Sequence, residues 1–200
     1  MTYLDLTQTF TSTMPVYPGD ATPELKRFDE PGDIVAYHVS TGMHVGTHMD
    51  APLHMVANGK RLSEISLDKF FGLGKLVDAR GQQTIGPELL QNISEGDVVL
   101  VLTGFGDKFR DPDYYEKHPV LTEGFAKRLV ELKVKIVGTD TPSPDREPFS
   151  VHKILLGHEI LILENLTNLE KLVNKNFEVV ALPVKFETEA APVRVVAKII

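Results

Sequence analysis

Three histidines and an aspartate fall within the eleven residues His44-Val45-Gly46-Thr47-His48-Met49-Asp50-Ala51-Pro52-Leu53-His54, and no single regular element can carry them on one site. In a continuous strand all four polar side chains would share a face, yet His44 and Asp50 would stand about 20 Å apart, too far for one bound ion. In a helix His44 and His48 would be neighbours, but Asp50 would project elsewhere and Pro52 would break the turn. The segment must therefore bend. Gly46 permits a tight turn or a close backbone approach, and Pro52 redirects the chain ahead of His54.

The residue types point to metal chemistry. Two neutral imidazoles and a carboxylate, His44, His48 and Asp50, suit zinc, manganese or ferrous iron. His54 either completes that ligand set or stands beside the metal as a base. A lone histidine is more often structural than functional. Here three of the chain's seven histidines cluster with an acid, and burying so many polar groups without a cation would be costly. The chain has no cysteine, which removes disulfides, thiolate sites and Cys nucleophiles and leaves nitrogen and oxygen as the only metal donors.

At 200 residues, 42% of them hydrophobic, the chain can bury one sizeable core, and one domain over residues 1–200 is expected. Its 21 basic and 28 acidic residues leave a formal charge of -7, a field that repels phosphate polyanions and argues against nucleic acid. The opening segment Met1 to Phe10 lacks the basic and apolar regions of a secretory signal, so a cytoplasmic location is expected. The longest apolar runs, Val98 to Leu102 and Ile160 to Leu163, are far shorter than the roughly 20 residues a membrane-spanning helix needs. A small molecule is the expected partner.

Val- and Ile-rich runs predict strands at Ile34–Val39, Leu73–Val77, Val98–Leu102, Val134–Val137, Ile160–Leu163, Phe177–Leu182 and Val193–Ile199. Thr122 as N-cap and the apolar face of Phe125, Leu129 and Leu132 predict a helix over Glu123–Leu132. A shorter helix is predicted over Pro87–Ile93, with proline near its first turn. The fold class is α/β. Two loops dense in Pro, Gly and Asp, residues 14–20 and 138–145, sit beside strand signals, where α/β proteins carry ligand loops. Glu164 ends a buried run at the strand edge where ligands of such sheets gather. Taken alone, Glu164 reads as a solvated strand end and His152 as a helix-surface residue.

The His44–His54 string resembles the signature of the cyclase-like metal hydrolases, whose best-known members are the bacterial kynurenine formamidases. The likeness extends to Asp5-Leu6-Thr7 with Pro15-Val16-Tyr17-Pro18-Gly19-Asp20, to Thr103-Gly104-Phe105, to residues 138–143 and 152–166, and to Ala191-Pro192-Val193-Arg194. The resemblance implies a swivelling β/β/α domain, assembled as a homodimer or larger oligomer. It implies that His44, His48, Asp50, His152 and Glu164 ligate one or two divalent metals, zinc first and manganese second, with Asp50 and Glu164 bridging. His54 matches the catalytic histidine. The implied reaction is hydrolysis of an aryl formamide such as N-formylkynurenine, with His54 passing a proton to the departing amine. Tyr17 stands where similar kynurenine formamidases place a tryptophan against the substrate ring, and this chain has no tryptophan. Tyrosine can still stack on an aryl group, but the change leaves room for isatin, a different arylamide or a cyclic amide. A ring-forming or ring-opening hydrolase of the same fold acting on a lactam or polyketide-like substrate is a second enzyme reading. A non-catalytic protein whose metal anchors a ligand is the alternative from another class. His38, His118 and His158 match no pattern, and Asp140 and Arg194 read as turn and surface hydrogen-bonding residues.

Overall fold

The Val- and Ile-rich runs become strands of a sheet that closes on itself. A computed structural model describes residues 1–200, the side chain of Glu30 excepted. In chain order the strands are β1 (Thr2–Asp5), β2 (Glu24–Glu30), β3 (Ile34–Ser40), β4 (His48–Asp50), β5 (Phe71–Asp78), β6 (Thr84–Ile85), β7 (Val98–Leu102), β8 (Val120–Leu121), β9 (Ile136–Thr139), β10 (Leu161–Glu164), β11 (Phe177–Pro183) and β12 (Ala190–Ile199). The helices are α1 (Glu123–Glu131) and α2 (Ser150–Gly157). The main sheet runs β1-β12-β11-β5-β7-β9-β10-β4, and β4 also pairs with β12, which closes a barrel. The length of β12 makes closure possible. Its first residues, Ala190 to Pro192, pair with β4, its last pair with β1, and β11 takes the other edge. Strands β5, β7, β9 and β10 are parallel, and β4 lies antiparallel to β10.

Alternation along the strands separates two cores. Val98, Leu100, Leu102, Ile136, Leu161 and Phe177 fill the barrel with Met49 of β4. Val99, Val101, Val137 and Ile162 face outward, onto Phe125 and Leu129 of α1 and Val151 and Leu155 of α2. Strands β7, β9 and β10 are thus buried on both faces, the reason their sequences read as unbroken apolar runs. Because β4 is a strand of period two, Met49 points into the barrel while His48 and Asp50 point out, toward α2.

The expected α/β class holds, with sheet outweighing helix. Thr122 caps α1 by accepting from the Phe125 amide at 3.1 Å. The helix expected over Pro87–Ile93 reduces to one 3-10 turn, Pro87–Leu89, because Leu90 turns extended and Asn92 takes a left-handed backbone. Val134 lies outside β9, since its amide closes the end of α1 by bonding Leu129. The β2–β3 hairpin lies outside the barrel sheet; β3 is the strand expected at Ile34–Val39, while β2 is charged rather than rich in Val and Ile and is not among the expected strands. Among the described residues no helix is long and apolar enough to cross a membrane.

Candidate active site

The bend demanded by the His44–His54 spacing has three parts. Gly46 turns the chain with a left-handed φ of 67°, β4 runs straight through His48–Asp50, and Pro52 opens a 3-10 turn that ends on His54. A Cβ at position 46 would collide with the Met14 side chain, so the glycine also serves a close approach. Register does the rest. Glu164 of β10 lies opposite His48, and Ile162 opposite Asp50, and residues directly opposite share a face. His152, on the first turns of α2, is brought over that face.

The side chains converge. His44 Nδ1 lies 3.1 Å from Asp50 Oδ1, and His48 Nε2 lies 3.4 Å from the same oxygen and 3.2 Å from Glu164 Oε2. His152 Nε2 is 3.3 Å from Glu164 Oε1 and 3.8 Å from Asp50 Oδ2. The His54 ring stands beside His44 at 4.3 Å and His152 at 5.8 Å between centroids. Two overlapping donor sets result, His44 with His48 and Asp50, and Asp50 with His54 and His152. Glu164 and His152, expected from their own surroundings to be solvated, are instead buried.

Both Asp50 oxygens, His48 Nε2 and His44 Nε2 are buried without a hydrogen-bond partner. The Asp50 oxygens and His48 Nε2 lie close without hydrogen-bond angles and so aim at a shared point rather than at one another, whereas His44 turns Nδ1 to Asp50 and Nε2 toward Glu189. Each buried orphan costs about 1–3 kcal/mol, and a divalent cation at that point would relieve those of Asp50 and His48. The residues present therefore fit a metal, by geometry and by donor chemistry. The charges agree. Burial disfavours the His48 imidazolium, yet the Asp50 and Glu164 carboxylates outweigh burial and hold its pKa up to about 9. His152 is desolvated too, but Asp145 and Glu164 raise it to about 10. Burial opposes the Asp50 anion, and the His48 and His44 charges overcome it and hold its carboxyl below the usual range. Such a field concentrates positive charge. His54 differs: burial, reinforced by His44 and His152 against the pull of Asp50, keeps its pKa below the ordinary 6.5.

Three residues with no expected role hold the cluster in place. Asp145 accepts from His152 Nδ1 at 2.5 Å and from the Val151 amide at 2.7 Å, so it ties the ring to the start of α2 and turns Nε2 toward the site. The Asn165 side chain donates to the Gly46 carbonyl at 2.9 Å and accepts from the Tyr114 hydroxyl at 2.9 Å, pinning the turn before β4 to the end of β10. Gly46 O in turn engages His48 Nδ1 at 2.9 Å, leaving Nε2 for the cluster. Glu189 Oε1 lies 3.4 Å from His44 Nε2. Nothing local linked Asp145 or Glu189 to the histidines; the Pro144-Asp145 loop was the one visible hint.

The cluster floors a cavity of about 240 Å³, walled by Tyr17, Tyr115, Pro142, Ser143 and Phe149. Tyr17 meets Tyr115 edge to face at 5.7 Å. Elsewhere Asp140 accepts from Thr103 and Gly104 backbone amides, joining the ends of β7 and β9. Arg194 pairs with Asp5 on the surface.

Barrel, cavity and cluster suit a hydrolytic enzyme, and the relatives of this chain are hydrolytic enzymes. It is similar over 204 residues, at 27% identity, to a kynurenine formamidase of Bacillus cereus, covering 98% of this chain and 97% of that one. A solved structure described as a potential metal-dependent hydrolase with cyclase activity superposes with a TM-score of 0.84 at 29% identity, covering 98% and 96% of the two chains. Isatin hydrolase A from Labrenzia aggregata, bound to benzyl benzoate, superposes with a TM-score of 0.88 at 25% identity over 98% and 93%. The Cyclase family model matches residues 4–146, and the chain belongs to that family. Its fold is the one the resemblance implied.

Proposed function

We propose that the chain is a metal-dependent amide hydrolase that cleaves an aryl formamide, N-formylkynurenine being the first candidate. One observation carries the reading: Asp50, buried on the cavity floor with neither oxygen hydrogen-bonded, is ringed by the nitrogens of His44, His48 and His152. In this reading His44, His48, Asp50, His152 and Glu164 hold one or two divalent cations, zinc first and manganese second, with the two carboxylates placed between the imidazoles. When bound, such a cation polarises a carbonyl and lowers the pKa of water from 15.7 to about 7.

The chain's own groups supply the rest. Tyr17, paired with Tyr115, and Phe149 offer faces for an aryl ring. His54, neutral at pH 7 because burial depresses its pKa, accepts a proton as water adds to the formyl carbon and delivers it to the aryl nitrogen as the C–N bond breaks. Formate and an arylamine leave. The likeness to the isatin hydrolase favours a second reading, ring opening of a cyclic amide by the same residues. Assembly as a homodimer or larger oligomer is part of the proposal.

Elemental analysis of the purified protein, joined to assays on N-formylkynurenine and isatin with and without chelator, tests all of this. Stoichiometric metal and chelator-sensitive release of formate support the first reading, and isatin turnover alone supports the second. A metal-free active protein sinks both.

A further inference from the structure

The cavity above Asp50 does not end at its aromatic walls. A second chamber of about 360 Å³ adjoins it and shares Tyr17, Tyr115, Pro142, Ser143 and Phe149. The far wall of this chamber carries Glu116, His118 and Arg146. Among the described residues Arg146 is the one lysine or arginine lining either chamber, while Asp20, Asp50, Glu116, Asp145, Glu147 and Glu164 line them with acid. The whole chain adds a formal charge of -7. A ligand bringing a carboxylate into that field meets attraction at Arg146 and repulsion elsewhere.

Arg146 is also held for the task. Its guanidinium donates to the His118 carbonyl, and His118 is itself buried with Nδ1 on the Pro119 carbonyl at 3.0 Å. One donor of the fork is thereby used as an anchor, and the remaining N–H groups can grip a carboxylate in two-point fashion. Glu116, exposed on the same wall, offers an acceptor to an ammonium group.

We infer that the second chamber binds the α-amino-acid end of the substrate, with Arg146 reading its carboxylate and the tyrosine pair marking the division between aryl ring and tail. This inference rests on the formamidase reading and sharpens it. A fused cyclic amide such as isatin has no tail and would leave the chamber unfilled. Arg146 acts on binding, not on the reacting atoms.

The test compares N-formylkynurenine with 2-formamidoacetophenone, which keeps the ortho-acyl aryl formamide and lacks the amino-acid tail, on metal-loaded wild type, Arg146→Ala and Arg146→Lys. Loss of a charge-assisted two-point contact is expected to lower the preference in kcat/KM for the tailed substrate about tenfold in Arg146→Ala, through KM rather than kcat. Arg146→Lys should recover part of it, since it keeps the charge but not the fork. An equal loss on both substrates would show that Arg146 merely braces the His118 loop, and no loss on either would show that the chamber is idle; each overturns the inference alone. If wild type hydrolyses neither formamide, the formamidase reading fails and takes this assignment with it.

Discussion

His54 and His48 sit six residues apart and close to the same carboxylate, yet they carry opposite expectations. In the proposed reaction His54 must be neutral to accept a proton, and its depressed pKa places loss of that neutrality below pH 6.5. The kcat/KM profile should hold level at pH 7 and fall along an acid limb below 6.5. His54→Ala should lower kcat by about 10²- to 10⁴-fold and erase that limb while metal content stays intact. Metal lost from His54→Ala would make the residue a ligand instead. His48→Ala, by contrast, should strip the metal outright. Asp145→Asn keeps the size of the side chain but removes the charge that orients His152, so metal affinity should weaken about 10- to 100-fold. Competition with a coloured chelator reads that change directly, and unchanged affinity would reduce Asp145 to a cap on α2.

Elements set how finely these residues are placed. The turn at Gly46 separates the two proposed metal donors His44 and His48, and its left-handed backbone lies against Met14. Gly46→Ala should cost about 1–3 kcal/mol in strain and also weaken metal binding, because the turn cannot relax without moving both imidazoles. Thr122→Ala is the control at a residue outside the cluster. Loss of the α1 cap should cost about 1 kcal/mol in urea unfolding, with metal affinity unchanged. The cap was legible because Thr122 and Phe125 are three residues apart and the bond between them is local. The helix at Pro87 stops short of its expected length for the opposite reason. Its start signal is present in the sequence, but its continuation is cut off by Asn92 turning left-handed ahead of β7.

At the scale of the whole molecule, closure of the barrel by β4, which carries His48 and Asp50, ties stability to the proposed metal and to pH. Without metal, His48 and His152 have pKa values raised to about 9 and about 10. A raised imidazole pKa contributes stability that is complete below 6.5 and is lost as pH climbs through those values. Asp50, lowered from 3.8, contributes above that value and loses its share as pH falls further. The metal-free cluster is thus best paired between about pH 4 and 6.5. Metal requires the same imidazoles deprotonated, so its binding strengthens with pH. The gap in Tm between metal-loaded and chelated protein should therefore widen from pH 6 to pH 9, as scanning calorimetry would record; a constant gap would place the metal elsewhere.

Read by itself, the chain determined what short range can determine. Spacing within residues 44–54 required a bend, the absence of cysteine confined metal donors to nitrogen and oxygen, and apolar runs marked most of the barrel strands. For His152 and Glu164 the residues themselves pointed to the surface, and resemblance alone set them beside the metal. Only the tertiary structure brought them to the face that His48 and Asp50 share. Strand register puts Glu164 opposite His48 across 116 residues of chain, helix packing brings His152 and Asp145 over the same face, and the chamber around Arg146 exists where separate loops meet. Such contacts depend on how distant segments pair, and pairing is a property of the closed barrel rather than of any stretch of sequence.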